Sequence, residues 1–149
     1  MADNKHSEDF QYIIRVSNTD LDGEKKILDS LRKIRGVSFM FANAICVAAG
    51  VDKNQQAGTL NEKQIKRLQE VVNNPQEANI PSWLYNRRRD YETGENMHLV
   101  VNDLLITRED DLKRLKKSKS YRGLRLQAGL PVRGQRTQSN FRKSKGKKR

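Results

Sequence analysis

Soft metal ligands and long apolar runs are scarce in this chain of 149 residues. One cysteine, Cys46, excludes an internal disulfide and is typical of a reducing compartment. With only two histidines, His6 and His98, the chain has too few soft ligands for a zinc site, and we expect no metal and no cofactor. No run approaches 18 apolar residues, which argues against a membrane-spanning helix, and the first residues do not resemble a signal peptide.

Catalytic motifs are also missing. The chain contains no GxxxxGK[ST] phosphate loop, no GxGxxG turn, no HExxH zinc motif and no GxSxG nucleophile elbow. Asp20 and Asp22 are interpreted as turn and cap residues rather than as paired catalytic carboxylates. His98 precedes an apolar pair and is interpreted as a packing or surface residue rather than as a base. The sequence therefore predicts no catalytic residue and a protein that is not an enzyme.

Acidic residues are absent from the last quarter of the chain. The chain has 30 basic and 18 acidic residues, and every acid lies before residue 112. Residues 1–111 carry about −3, whereas residues 112–149 carry +15, which indicates a polyanionic partner. A membrane-surface segment would need bulky apolar residues opposite the cations, and this segment has glycine and proline instead. Nucleic acid is therefore favoured, and no membrane partner is expected.

The spacing of apolar residues predicts a mainly helical body with one short N-terminal strand and four or five helices. The strand lies at 10–16, and 18–23 is typical of a turn. Since no second strand is convincing, this strand must pair in a small ribbon or lie against helices. The predicted helical segments are 24–35, 39–49, a helix from a capping box at Thr59–Glu62 to Asn73, a short segment at 80–85, 99–118 with Thr107 as a competing start, and 121–126. A length of 149 residues suits one domain with a tail. We predict a flexible N-terminus at 1–9, a helical body at 10–128 and an extended RNA-binding tail at 129–149.

The segment at 39–49 is apolar nearly all round, which is typical of a central core helix. Gly36 favours a left-handed stop before this helix, Ser38 can cap its start, and Gly50 can close its end. Cys46 lies inside the helix and is interpreted as a small core residue.

Three consecutive arginines, Arg87, Arg88 and Arg89, follow the short apolar segment at 80–85. They can form a solvated face that the neighbouring acids balance, or they can contact RNA. Trp83 and Tyr85 lie beside them and can either stack on bases or pack against the protein. The three arginines are therefore possible RNA-binding residues.

The basic residues near the C-terminus form the main predicted RNA-binding set. Arginine can bond phosphate oxygens bidentately, whereas lysine acts as a point charge. Glycine and proline oppose helix formation from Gly129 onward, so the tail is predicted to be disordered alone and to fold on RNA. The predicted set is Lys113, Lys116, Lys117, Lys119, Arg122, Arg125, Arg133, Arg136, Arg142, Lys143, Lys145, Lys147, Lys148 and Arg149.

Successive sequence blocks resemble a universal family of ribosomal proteins, numbered thirteen in the small subunit and called eighteen in the eukaryotic cytosol. The C-terminal signature of that family is similar to YRGLRLQAGLPVRGQRTQSNFR. Its preceding blocks are similar, in the same order, to RVSNTDLDG, LRKIRGVSFMFANAI, IPSWLYNRRRDYETGE and REDDLKRLKKSKSYRGLR. The resemblance covers about residues 10–142 and is closest to the archaeal branch.

This resemblance implies a mainly helical fold with a helix–two-turns–helix body and a C-terminal extension. It implies a place in the head of the small ribosomal subunit, where small-subunit rRNA is the ligand and small-subunit ribosomal protein nineteen is a neighbour. It also implies bridges to large-subunit ribosomal protein five and large-subunit rRNA, and an approach of the tail to peptidyl-site tRNA. The protein would then be cytoplasmic, within the ribosome.

Two positions depart from the family pattern. The chain has Gly36-Val37-Ser38 where the family usually has Gly-Val-Gly, so a backbone contact to phosphate is in question there while the helix cap improves. The chain has Arg125-Leu126 where the family has Arg-His, so no ring is available for stacking.

Two other functions fit part of the sequence. The helix–two-turns–helix body also occurs in DNA-repair glycosylases, which use an N-terminal proline or a lysine nucleophile in a separate domain; here Ala2 follows Met1 and no such domain is expected. A chromatin-type DNA-binding protein could also use the +15 of the last 38 residues. The choice between rRNA and duplex DNA discriminates among these functions.

Overall fold

A computed structural model describes residues 10–137 and shows a mainly helical chain with a small antiparallel sheet. Within this range the elements are β1 Ile13–Val16, β2 Thr19–Asp22, α1 Ile27–Leu31, α2 Phe39–Ala49, α3 Glu62–Asn73, α4 Val101–Lys117 and α5 Tyr121–Gln127, with 3-10 turns at Ala57–Thr59 and Ser82–Leu84. The chain divides into two compact units, Met1–Leu105 and Ile106–Arg149. The predicted N-terminal segment at 1–9 and the end of the predicted tail, 138–149, lie outside the described residues.

The N-terminal strand pairs in a small ribbon, one of the two alternatives from sequence, and its partner strand lies where a turn was predicted at 18–23. β1 pairs antiparallel with β2 in a hairpin. The two connecting residues, Ser17 and Asn18, have φ angles of 44° and 59°, as a two-residue type I′ turn requires. The sequence concealed β2 because Asp20 and Asp22, which disfavour strands, flank its one buried residue, Leu21.

Helix α1 is shorter than the predicted helix at 24–35. The residues before it bond instead to the loop at 55–57: the Ile27 amide donates to the Gln55 carbonyl at 2.9 Å, and the Ala57 amide donates to the Lys25 carbonyl at 2.9 Å. These bonds hold residues 24–26 in an extended pairing with a distant part of the chain. A local helical pattern cannot reveal such a partner.

Helix α2 has the predicted bounds and the predicted caps. The Ser38 hydroxyl accepts a hydrogen bond from the Phe41 amide at 3.4 Å, and Gly50 closes the helix with a φ of 69°. Phe41 is fully buried, and Cys46 is buried beside the same core. Burial raises the pKa of the Cys46 thiol to about 11, so this cysteine is a protonated core residue as predicted.

The capping residue of helix α3 lies two residues after the predicted one. Thr59 lies in a 3-10 turn, where its hydroxyl donates to the Gln56 carbonyl at 2.9 Å instead of capping. The capping box uses Asn61 and Gln64, since the Gln64 side chain accepts from the Asn61 amide at 3.0 Å. The predicted Thr59–Glu62 box is therefore wrong by two positions, although the predicted helix exists.

All buried apolar side chains of residues 10–137 lie in the first unit, between Ile14 and Tyr85. They come from the hairpin, from α1 to α3 and from the loops between them. Helix α4 begins at Val101 rather than at the competing start Thr107, and the Val101 amide donates to the Arg35 carbonyl at 2.9 Å. Of the described residues in the second unit, Gly123 alone is buried.

Candidate RNA-binding surface

The two units differ sharply in charge. Residues 1–105 contain 14 basic and 15 acidic residues, a net charge of −1, whereas residues 106–149 contain 16 and 3, a net charge of +13. The predicted RNA-binding residues within the described range are Lys113, Lys116, Lys117, Lys119, Arg122, Arg125, Arg133 and Arg136. The other six, Arg142, Lys143, Lys145, Lys147, Lys148 and Arg149, lie outside the described residues. The described part of the candidate RNA-binding surface is therefore formed by α4, α5 and residues 128–137.

The middle of α4 carries two exposed ion pairs between neighbouring turns. Lys113 Nζ lies 3.0 Å from Asp110 Oδ1, and an Arg114 terminal nitrogen lies 3.1 Å from Asp111 Oδ1. The bond to Asp110 raises the pKa of Lys113 and keeps it charged. Exposed pairs of this kind contribute only about 0–1 kcal/mol, so a phosphate can compete for Lys113 at small cost.

The corner between α4 and α5 brings four exposed cations into a short span. The Ser120 hydroxyl donates to the Leu115 carbonyl at 3.2 Å and accepts from the Gly123 amide at 3.1 Å. A Cβ on Gly123 would overlap the Leu115 carbonyl oxygen, so only glycine permits this close packing of α5 on the end of α4. The exposed cations around this corner are Lys116, Lys117, Lys119 and Arg122.

The residues after α5 present further arginines. Gly129 and Gly134 have φ angles of 67° and 71°, so the backbone turns at both positions. Arg133 and Arg136 are exposed, whereas Arg125 is half-buried and its Nε donates to the Pro131 carbonyl at 2.9 Å. Most of the predicted cations in the described range therefore face solvent, where phosphate oxygens can reach them.

The three consecutive arginines do not act alike. Arg87 Nε lies 2.6 Å from Asp90 Oδ1 in a pair that is mostly shielded from solvent. This hydrogen bond holds the pKa of Asp90 at about 2, and Asp90 also accepts backbone bonds that shape the loop. Arg88 and Arg89 are exposed. Arg87 is therefore balanced by a neighbouring acid, as one of the two interpretations from sequence expects, and this pair stabilises the loop. Arg88 and Arg89 remain exposed and can reach a ligand.

Of the two aromatic residues beside these arginines, one is available for stacking. Tyr85 is buried, its hydroxyl donates to the Ile80 carbonyl at 2.9 Å, and burial raises its pKa. Trp83 is 63% exposed. Tyr85 therefore packs in the core, and Trp83 offers a free indole face to a base or another partner.

His98 is a packing residue, as the sequence indicates. Its ring stacks on Phe41 with 3.6 Å between ring centroids, and Nδ1 accepts from the Asn86 amide at 3.3 Å. Burial lowers the pKa of His98 to about 4, although the nearby Gly36 backbone opposes part of the shift. Its buried Nε2 has no hydrogen-bond partner of good geometry among the described residues. The ring is therefore neutral at pH 7.

Asn86 is a structural residue that the sequence did not single out. Its side-chain amide donates to the Leu99 carbonyl at 2.7 Å, and its side-chain oxygen accepts from the Leu99 amide at 2.9 Å. The side chain thus pairs with the backbone as a neighbouring strand would. Nothing in a single sequence distinguishes this asparagine from one in an ordinary polar loop.

Comparison with known proteins identifies the family. Residues 15–143 match the family model described as ribosomal protein S13/S18. This chain belongs to that family. It is 47% identical over 137 residues to the small ribosomal subunit protein uS13 of Methanobrevibacter smithii, covering 92% of this chain and 93% of the relative.

Two further uS13 proteins from archaea show similar identity. The protein of Methanocaldococcus jannaschii is 48% identical over 137 residues, covering 92% of this chain and 91% of the relative. The protein of Nanoarchaeum equitans is 48% identical over 145 residues, covering 97% and 95%. The family resemblance and its archaeal character are thereby confirmed. The family is one of structural ribosomal proteins rather than enzymes.

The structure shows how the backbone at Gly36-Val37-Ser38 is used, where the sequence left a phosphate contact in question. Gly36 has a φ of 103°, and a Cβ there would meet the Leu99 carbonyl oxygen. The Val37 amide donates to the Ile34 carbonyl at 3.1 Å, so this N–H is already used within the protein. Ser38 caps α2, as its hydroxyl suggests. These bonds weigh against a phosphate contact through the Val37 amide.

Neither a metal centre nor a membrane span emerges from residues 10–137. Within that range, no three histidine, cysteine or acidic side chains come together as a possible metal site. No described helix is both long and apolar enough to cross a membrane.

Proposed function

We propose that this protein binds small-subunit rRNA in the head of the small ribosomal subunit, mainly through the cations of residues 106–149. The observation that carries the proposal is the concentration of a net charge of +13 on a unit whose described part buries only one glycine. Membership of the ribosomal protein S13/S18 family supports RNA, rather than another polyanion, as the ligand.

Phosphate neutralisation explains how such a surface works. The α4–α5 corner holds Lys116, Lys119 and Arg122 exposed on a fixed backbone, so their charges need little reorganisation to meet phosphates. Each phosphate contact releases condensed counterions, which makes the affinity fall steeply as salt rises. RNA loops, ends and junctions are the expected targets, because their unstacked bases and irregular backbones can be recognised by shape. Trp83 offers one face for such a base.

The finer placement follows the family. In this proposal the body is of the helix–two-turns–helix type, and residues 129–149 form a tail that extends along RNA. Twenty-one residues can span roughly 70 Å at about 3.3–3.6 Å each. The proposed neighbours are small-subunit ribosomal protein nineteen, large-subunit ribosomal protein five, large-subunit rRNA and peptidyl-site tRNA. The proposed location is the cytoplasm, within the ribosome. The uS13 names of the relatives support a small-subunit role.

A gradient experiment tests the ribosomal assignment. Cell extract at moderate salt is separated on a sucrose gradient at low magnesium, which dissociates the subunits, and the chain is quantified in each fraction. Co-sedimentation with the small subunit is expected. Free sedimentation, or equal affinity of the purified chain for random duplex DNA and for rRNA fragments, would refute the proposal and favour a chromatin-type DNA-binding protein.

A matched pair of triple variants tests the surface. Replacing Lys116, Lys119 and Arg122 with glutamine removes three exposed charges from the second unit, and replacing Lys63, Lys66 and Arg67 removes three from helix α3 of the first. The first variant should bind an rRNA fragment about tenfold or more weakly, with the salt slope reduced by about 2. The α3 variant should change the affinity less than about threefold. Equal losses of affinity in the two variants would refute the assignment of RNA binding to the second unit.

A further inference from the structure

Helix α5 ends in a hydrogen-bonded turn that sets the direction of the following chain. The Gly129 amide donates to the Leu126 carbonyl at 3.2 Å, and the Leu130 amide donates to the Arg125 carbonyl at 2.9 Å. With Gly129 at a φ of 67°, these two bonds form a Schellman motif, which satisfies carbonyls that a helix end leaves free. The motif fixes the backbone as far as Leu130.

The Arg125 side chain extends this turn by one residue. Its Nε–H donates to the Pro131 carbonyl at 2.9 Å, while the Arg125 carbonyl accepts from the Leu130 amide. One residue therefore bonds the departing chain through both its backbone and its side chain. The proline ring restricts φ at Pro131 to about −65°, so the backbone there has little freedom left.

We propose that Arg125 is a positioning residue: its bond to Pro131 fixes the direction in which residues 132–137 leave α5 and so orients Arg133 and Arg136 toward RNA. The orientation of Arg133 and Arg136 toward RNA rests on the proposed function. Arg125 was predicted from sequence only as a phosphate ligand. A guanidinium has five N–H donors, and the bond to Pro131 uses one of them, so phosphate binding by the others is compatible with the positioning role.

Lysine cannot reproduce this arrangement. The Nε–H of arginine lies along the side chain, before the terminal fork, whereas lysine has a single nitrogen at the end of a flexible stem. Arg125→Lys therefore keeps the positive charge and removes the Nε–H that donates to the Pro131 carbonyl. Arg122 is the matched control for the backbone measurement, because it lies on the same helix, is exposed and has no side-chain hydrogen bond within the described residues. Arg67 on helix α3 is the control for affinity, because it is exposed and lies outside the proposed surface.

Backbone relaxation of the full chain in solution tests the positioning step without RNA. The heteronuclear ¹⁵N nuclear Overhauser effect is measured for the amides from Val132 to Thr137 in the native chain, Arg125→Lys and Arg122→Lys. The native chain and Arg122→Lys should show similar, high values at Val132 and Arg133, and Arg125→Lys should show clearly lower ones. Equal values in all three chains would overturn the inference. Circular dichroism checks that α5 remains helical in each variant.

Affinity for a small-subunit rRNA fragment tests the consequence. Arg125→Lys should bind about five- to tenfold more weakly with an unchanged salt slope, because the charge is kept. Arg67→Lys, on helix α3 and outside the proposed surface, should lose less than about threefold. An unchanged affinity in Arg125→Lys, despite lower relaxation values, would overturn the orienting role alone. Failure of the native chain itself to bind the fragment would overturn the proposed function, whereas the relaxation result would still decide whether Arg125 holds the turn.

Discussion

The first unit is organised by apolar burial, and the second unit is organised by hydrogen bonds and charge. Twenty apolar side chains are buried between Ile14 and Tyr85, whereas the described part of the second unit, 106–137, buries only Gly123. The first unit has a net charge of −1 and the second of +13. Folding therefore depends largely on the first unit, and the proposed RNA binding depends largely on the second, so each can be changed with limited effect on the other.

The second unit holds its shape by local bonds. Ser120 and the Schellman motif at Gly129 supply hydrogen bonds, and Gly123 permits close backbone packing. Such bonds contribute about 1 kcal/mol each, far less than a packed core. A bound polyanion would add stability by mass action, since it binds the folded form. The second unit should therefore be the less protected part of the free protein.

The largest expected effect comes from truncating a buried side chain in the core of the first unit. Phe41 is fully buried and packs against His98, so Phe41→Ala should reduce the free energy of unfolding by about 3–5 kcal/mol. The measurement is urea denaturation, together with amide hydrogen exchange in α2, α3 and α5. Exchange should accelerate in α2 and α3 and change little in α5.

Phe39→Ala is the matched control on the same helix. Phe39 is 51% exposed, with Arg32 5.8 Å from its ring centroid, so the change should cost less than about 1 kcal/mol. If exchange in α5 accelerates as much as in α2 for Phe41→Ala, the two units unfold as one and do not fold independently.

The next largest effect is expected at the corner of the second unit. Gly123→Ala would force α5 away from the Leu115 carbonyl, at a cost of about 1–3 kcal/mol to this unit. Hydrogen exchange should accelerate in α5, the affinity for rRNA should fall, and α2 should stay protected. Leu124→Ala, at a residue that is 53% exposed, is the control and should leave exchange nearly unchanged. Native protection of α5 in Gly123→Ala would show that the close packing is not needed.

The smallest of these effects is a pH dependence in the first unit. Burial lowers the pKa of His98 from 6.5 to about 4, so the unfolded state takes up the proton more readily than the folded state. The contribution of the neutral His98 ring to the free energy of unfolding is therefore complete above about pH 6.5 and is lost as the pH falls toward 4. We expect a loss of about 1–2 kcal/mol, a value reduced for the partial exposure of the ring.

Urea denaturation from pH 7 to pH 4 and NMR titration of the ring measure this effect. His98→Gln should lack the pH dependence in that window. Asp90, whose pKa is lowered from 3.8 to about 2 mainly by the hydrogen bond from Arg87, contributes mostly below about pH 4, at the lower edge of this window. A His98 titration near 6.5 would contradict the buried, neutral ring.

The sequence predicted elements that depend on local patterns. Helix α2 was placed correctly because its apolar run, Ser38 and Gly50 are neighbours in the chain. Strand β2 was missed because a pair of aspartates obscured Leu21. The start of helix α1 was predicted too early because residues 24–26 pair with 55–57, a partner about 30 positions away.

The net charge of the candidate site could be predicted by counting residues. Which cations bond within the protein and which face solvent could not. Arg87 and Arg88 look alike in the sequence, yet Arg87 bonds Asp90 in a shielded pair while Arg88 is exposed. Arg125 and Arg122 differ in the same way, because the former bonds Pro131. These differences depend on backbone turns around Asp90 and Gly129, which a single sequence does not specify in three dimensions.

Truncation after Gly129 tests the division between folding and binding most directly. The variant lacks eight cations, namely Arg133, Arg136, Arg142, Lys143, Lys145, Lys147, Lys148 and Arg149. Thermal melting by circular dichroism and affinity for a small-subunit rRNA fragment are measured on the same preparation. We predict a nearly unchanged melting temperature and an affinity at least about a hundredfold weaker, with a shallower salt slope. A large loss of thermal stability, or an unchanged affinity for the rRNA fragment, would contradict the account.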